Sequence, residues 1–335
     1  MLRFYLATTL PALLIAIGAV LGGWWVALGL IFMTSLTFAL DSLVNIIPNE
    51  NAETEFPAGD GLLVLIGTLH FVLMLLVVWT LANGSHSLAA NIALFISAGL
   101  FFGQVSNSAA HELIHRSRRD LRQLGMWVYI SILFGHHTSA HLLVHHRFVA
   151  TSDDPNSAQL GESYYRYVAR AWVGSFSKGF AAETQRLKSI NRPNSQNPYW
   201  VYLSGGLAML VLAFLIGGVA GLVAYTGLAL YATAQLLLSD YVQHYGLSRT
   251  IDDNKAEPTT AFHSWDSPHW FSSSMMLNAP RHSQHHTRPM KTFTALEPHS
   301  DGPMLPHSLP AMATLALLPS RWRKVMDHRA LKWQN

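Results

Sequence analysis

Residues 61–119 read GLLVLIGTLHFVLMLLVVWTLANGSHSLAANIALFISAGLFFGQVSNSAAHELIHRSRR. Two apolar runs, 61–82 and 87–110, are separated only by residues 83–86, which include no Lys or Arg. A membrane helix needs about 20 mostly apolar residues to cross the hydrocarbon core, and each run has that length. With so short a link they read as a helical hairpin. The second run passes directly into His111-Glu-Leu-Ile-His115 and then into Arg116, Arg118 and Arg119. Membrane helices ending in a polar, histidine-bearing region are therefore the frame for the whole chain.

Working outward, four more apolar runs come close to a membrane crossing: 4–21 and 24–47, separated by Gly22-Gly23, and 199–216 and 219–238, separated by Gly217-Gly218. Half of the 335 residues are hydrophobic and only 12% are charged, against about 25% in soluble domains. The sequence predicts an all-α integral membrane protein of six transmembrane helices topped by a cytoplasmic, histidine-rich cap that binds two metals. The segments 116–192 and 249 onward hold most of the basic residues. The positive-inside rule places both in the cytoplasm, together with both termini; a bacterial inner membrane suits this. The chain divides into transmembrane helices 1–4 (1–110), a histidine-box region (111–198), helices 5 and 6 (199–240) and a C-terminal region with the last histidine box (241–335). The run 126–134 is too short to span and predicts an interfacial or buried helix under the histidines. The stretch 250–258 reads as a polar loop, and 298–310 as extended. A net charge of +3 without a basic stripe excludes nucleic acid as a partner. Cysteine is absent, so the chain carries neither disulfides nor an iron–sulfur or rubredoxin-type centre. Electrons, if needed, must come from another polypeptide.

Most of the 18 histidines fall in or beside the polar regions. His111 and His115 are spaced i, i+4, which puts both on one helix face. In His141-Leu-Leu-Val-His145-His146 the same spacing joins His141 to His145 and turns His146 by roughly 100°, towards a second centre. His282-Ser-Gln-His285-His286 repeats the theme, and His244 stands at the end of the sixth run. Nine imidazoles exceed what one mononuclear site uses and suit two metals with four or five ligands each. Imidazole accepts zinc, copper, iron or nickel, so residue type does not choose among them.

The stretches NSAAHELIHR (107–116), HLLVHHRFVATSDDPNSAQLGE (141–162), DYVQHYGL (240–247) and RHSQHH (281–286) resemble, in this order, the alkane 1-monooxygenase and xylene monooxygenase group of the membrane fatty-acid desaturase/hydroxylase superfamily. The resemblance covers roughly residues 100–300. It implies two non-haem irons held by His111, His115, His141, His145, His146, His244, His282, His285 and His286. It also implies dioxygen activation and hydroxylation of an unactivated C–H bond, at the terminal carbon of an alkane or the methyl group of an alkyl-arene. Electrons would come from rubredoxin or a ferredoxin-type carrier with its reductase, and the substrate would be an apolar hydrocarbon reached through membrane lipid. The chain departs from the group at Asp240, where Asn is usual, at Gln243, where Glu is usual, and at Ala140, where an acidic residue is common. The departures bear on substrate class. A fatty-acyl desaturase of the same superfamily is the alternative. A histidine-rich metal transporter is a further one, but it requires ionisable groups deep in several spans.

Ligating imidazoles usually donate their second N–H to a carboxylate or carbonyl. Glu112, Asp153, Asp154, Asp240 and Asp266 are close enough in sequence to serve, and His137 and His263 are further candidates for the surroundings of the metals. His70, inside the third run, is a candidate for lining a substrate cavity.

Overall fold

The computed structural model describes residues 1–43, 58–84, 86–253 and 255–334. Among them, five helical stretches are long and apolar enough to cross a membrane: Leu2–Leu21, Trp25–Leu43, Gly59–Asn83, Leu88–Ile114 and Tyr199–His244. The second expected helix is followed as far as Leu43; its residues 44–47 and the loop 48–57 lie outside the described residues. The first two stretches turn at Gly22 and Gly23, both with positive φ (65° and 56°). The fourth begins on Ser87, whose side chain accepts from the Ala90 N–H at 3.3 Å and satisfies one free amide of the first turn.

The two helices expected at 199–216 and 219–238 form one 46-residue helical stretch. Unbroken, it would be about 69 Å long, more than twice the hydrocarbon thickness of about 30 Å. It does break: Gly217 (φ −151°, ψ 24°) and Gly218 (φ 57°, ψ −140°) leave the helical region. The chain doubles back there, since a Cβ at Gly221 would lie 2.4 Å from the Ala213 carbonyl oxygen, eight residues earlier. The left-handed φ of Gly218 is open to glycine at no steric cost. The second arm also outruns its apolar pattern and stays helical to His244.

The rest of the chain packs over one end of this bundle. The apolar run 126–134 belongs to a helix, Arg119–Ser131, that buries Leu121, Val128, Tyr129 and Ile130. Its return brings it against the last turns of the fourth stretch. A 26-residue helix, Tyr164–Ser189, was not foreseen from the sequence. It buries Tyr164, Tyr167, Ala171, Ser175, Gly179, Glu183 and Leu187, a three-to-four-residue stripe that marks an amphipathic helix. The stripe is mostly small or polar, which hid it from a search for apolar periodicity. Residues 251–252 and 255–256 pair as a two-stranded antiparallel ribbon in the expected polar loop. His70 does not line the cavity described below: its Nε2 lies 2.6 Å from Ser131 Oγ, between the rings of Phe71 and Phe102.

Candidate metal centre

Three helix ends and one helix turn carry the histidines. His111 sits in the last turn of the helix Asn107–Ile114 and His115 is its C-terminal cap. His244 ends the second arm of the long stretch. His282, His285 and His286 belong to a short helix, His282–Thr287. Residues His141–His145 form a π-helical turn, in which the His146 N–H donates to the His141 carbonyl, five residues back.

That turn corrects the pairing read from α-helical spacing. His141 and His146 face one centre and His145 the other, the reverse of the expected arrangement, because an i→i+5 turn absorbs one extra residue. With that residue absorbed, HxxxHH behaves as HxxHH does in the α-helix at 282–286. In each box the first and last histidines share one centre and the penultimate one crosses to the other. The result is a group of five (His111, His115, His141, His146, His285) and a group of four (His145, His244, His282, His286), with the ligand nitrogens of each group within 4.8 Å of one another.

The nitrogen spacing tests whether a cation fits. The Nε2 atoms of His115, His141 and His146 are mutually 3.1, 3.2 and 2.9 Å apart. An imidazole nitrogen is either donor or acceptor, and three mutually adjacent atoms cannot alternate. At least one contact must set like against like, so hydrogen bonding alone cannot satisfy this triangle. Lone pairs shared by a central cation can. His111 and His285 join the cluster with Nε2 atoms 2.9 Å from His141 and 3.1 Å from His146. At metal–nitrogen distances of about 2.1 Å, such spacings subtend roughly 90°, narrower than a tetrahedron. In the group of four, His282 Nε2 lies 3.0 Å from both His244 and His286 Nε2. His145 Nε2 is buried with no hydrogen-bond partner among the described residues.

Burial and the charge of neighbouring histidines hold His141, His146, His282, His285 and His286 well below the ordinary imidazole pKa. Burial, assisted by Arg116, lowers His115 to about 4. These rings are neutral at physiological pH and offer lone pairs. His145 is the exception. Burial, the largest single influence, opposes its charge, but the Asp154 carboxylate, 2.8 Å from Nδ1, and the charge of Asp240 together outweigh it and raise the pKa.

The carboxylates divide by what they touch. Asp154 orients His145 and is itself held by Ser157 Oγ (2.7 Å) and the Asn156 N–H (3.0 Å). Asp240 accepts from Asn156 Nδ2 at 2.7 Å, which ties the long helix to the 141–162 segment. Glu112 accepts from the Phe293 N–H at 3.2 Å and lies 3.5 Å from Arg116. Asp266 accepts from both the N–H and Oγ of Ser283 (2.7 and 2.6 Å) and so anchors the last histidine helix by its backbone. Asp153 points to the surface, towards Lys178. His263 meets His244 through its carbonyl, 3.3 Å from Nδ1, while its own ring caps Thr260 and faces Glu257. His137 stands outside both groups, stacked on Phe134 with its ring 5.0 Å from that of His141. Asn156, Ser157 and Ser283 escaped the sequence reading. Each acts on a carboxylate, so the search for groups that touch imidazole directly passed them over.

A cavity of about 530 Å³ opens beneath the histidines. It reaches His111 of one group and His282 of the other, and continues between the fourth stretch and the second arm of the fifth past Gln104 and Gln235. An apolar guest could thus lie in the bundle with one end at both centres.

The family model for fatty acid desaturase matches residues 85–316. Alkane 1-monooxygenase 1 of Pseudomonas aeruginosa is 31% identical over 84% of this chain and 75% of its own length. Alkane 1-monooxygenase 1 of Alcanivorax borkumensis is 28% identical over 93% of this chain and 80% of its own. The hydroxylase component of xylene/toluene monooxygenase from Pseudomonas putida is 28% identical over 96% and 86%.

Proposed function

The chain belongs to the fatty acid desaturase family, and from that premise we propose that it binds two irons and hydroxylates a terminal or methyl C–H bond of a hydrocarbon. It is a membrane protein and a monooxygenase-type oxygenase. The balanced reaction is R–H + O₂ + 2e⁻ + 2H⁺ → R–OH + H₂O. The observation that carries the proposal is the convergence of nine histidines into two groups at the head of an apolar cavity.

The irons, when bound, would supply dioxygen activation. The five- and four-histidine groups would hold them, and Asp154 and the His263 carbonyl would fix two of the rings through their second nitrogens. The cavity positions the hydrocarbon end beside His111 and His282. No cysteine is present to carry electrons, so a separate carrier, a rubredoxin or ferredoxin-type protein with its reductase, delivers them. On this reading the break at Gly217–Gly218 divides the long stretch into two crossings, six in all, and the basic residues of 116–192 and of 249 onward favour a cytoplasmic side for both termini and the histidines.

Purified protein should hold two irons per chain by elemental analysis. With ¹⁸O₂, a reductant and a carrier it should place one ¹⁸O atom in an alcohol made from an alkane or methyl-arene. An alkene product would instead identify a desaturase, and absence of any oxidised product at full iron loading would refute the proposal.

A further inference from the structure

The cavity carries polar groups that a hydrocarbon does not need. On the fourth stretch Gln104 and Asn107 line it, and Gln235 faces them from the second arm of the long stretch. The two helices approach closely here, since a Cβ at Gly103 would lie 2.5 Å from Gln235 Nε2.

The hydrogen bonds fix which atom of Gln104 is free. Gln235 Nε2 lies 2.8 Å from the Gly99 carbonyl and 3.3 Å from the Tyr231 carbonyl. Carbonyls only accept, so this nitrogen is the amide's donor end and Gln235 Oε1 its acceptor. Gln104 must then present its own NH₂ to Gln235 Oε1, at 3.2 Å. What remains is Gln104 Oε1, a buried acceptor with no partner among the described residues. One turn nearer the histidines, Asn107 Oδ1 is engaged by the Tyr129 hydroxyl at 3.3 Å, which leaves its amide N–H as a donor beside the same cavity. A buried acceptor inside a membrane bundle is costly unless something donates to it.

We propose that Gln104 and Asn107 bind a hydroxyl group of the substrate, so that the preferred substrate class is a hydrocarbon chain or ring system already bearing an alcohol remote from the carbon oxidised. The hydroxyl donates to Gln104 Oε1 and accepts from Asn107 Nδ2. Ketones, ethers and esters lack the donor. Gln104 lies seven residues before His111, about 10 Å along the helix axis, which separates the bound hydroxyl from the reacting end. The product is a diol, HO–R–H becoming HO–R–OH with the stoichiometry given above and the same external reductant. This assignment rests on the monooxygenase reading only for the fate of the substrate; the recognition it describes is independent.

The test compares decan-1-ol with its isomer 1-methoxynonane, equal in heavy atoms but without the O–H. Binding to the purified, iron-loaded protein in detergent is measured by displacement of tritiated decan-1-ol, and products are analysed after turnover with ¹⁸O₂. The alcohol should bind roughly three- to tenfold more tightly, the worth of one neutral hydrogen bond. Gln104→Leu should abolish that ratio while leaving the ether's affinity unchanged; Gln104→Met serves if the leucine variant does not fold. Equal binding of the two isomers to the wild-type protein, as when only water rests on Gln104, overturns the proposal. So does a ratio that survives in a folded variant. Tight, Gln104-dependent binding of the alcohol with no diol formed would uphold this recognition and refute the monooxygenase reading instead.

Discussion

The two histidine groups sit side by side but are built differently. The group of five draws on three segments; among its members His111 and His146 are only half-buried and His115 is on the border of burial. The group of four is wholly buried and draws on three segments as well, but two of its rings are braced at their second nitrogens, His145 by Asp154 and His244 by the His263 carbonyl. Unpartnered second nitrogens occur in both groups among the described residues: the Nδ1 atoms of His141 and His285 in the group of five, and those of His282 and His286 in the group of four. One group thus has more ligands, the other fewer, two of them braced. Ligand number and outer support are alternative ways of holding a cation, and under the two-iron proposal the chain would use one for each position.

The largest effect should come from removing a ligand where there is none to spare. His244→Ala leaves three histidines in the group of four, whereas His115→Ala leaves four in the group of five. Elemental analysis should find the iron content of His244→Ala fall from two per chain to about one. His115→Ala should keep close to two, with weaker retention under chelator. Equal loss in both variants would erase the distinction between the groups.

Much of this arrangement is written locally. The apolar runs, the glycine pair at 217–218 and the histidine spacings are all sequence-near patterns, and the structure gathers the nine histidines they single out. What was hidden is of two kinds. The π turn at 141–145 is a backbone choice imposed by packing, and α-helical spacing alone assigned His145 and His146 to the wrong centres. The supports of the centres are non-local: Asn156 reaches Asp240 across 84 residues, and Phe293 reaches Glu112 across 181. Gln104 and Gln235, 131 residues apart, each read singly as a polar residue in an apolar helix, and only their pairing reveals a free acceptor.

Asp154→Asn tests the bracing itself. The amide keeps the shape but loses the charge that favours the His145 ring, and outer partners of this kind are worth about 10- to 100-fold in metal affinity. The loss should be confined to one iron per chain in competition with a chelator. A matching substitution, Asp153→Asn, alters a surface carboxylate paired with Lys178 and should leave both irons in place. If both irons weaken together in Asp154→Asn, the groups are not independently supported.

A smaller difference should appear in protons. His145 has its pKa raised above the ordinary imidazole value of 6.5 by Asp154, so just above that pH it still holds a proton in the metal-free protein, whereas rings such as His115, lowered to about 4, do not. A metal entering the group of four must displace that proton, and one entering the group of five displaces none. Calorimetry near pH 6.5 in buffers of different ionisation enthalpy should therefore detect proton release for the metal in the group of four and none for the other. The release should shrink in Asp154→Asn, where only the charge of Asp240 still offsets burial. It should vanish in the wild-type protein as the pH rises through the folded pKa of His145. Identical proton counts for the two metals would contradict the assignment of His145 to its own group.

The smallest effect is expected where sequence spacing alone would expect the greatest. Deleting Leu143 turns HxxxHH into HxxHH. If the π turn is an α-helix with one residue absorbed, the deletion removes that residue and the turn relaxes to ordinary i→i+4 bonding. His141 and the former His146 then stand at i, i+4 and remain in the group of five, while the former His145 stays between them facing the group of four, as His285 does between His282 and His286. Iron content should stay at two per chain, with some loss of stability because Leu143 is half-buried. The reverse change, inserting an alanine after Ser283, gives the last box an extra residue and no π turn to absorb it. It should cost at least one iron. Loss of both irons on deletion, with the insertion tolerated, would mean that the π turn positions these rings itself and that the likeness between the two boxes is a coincidence of spacing.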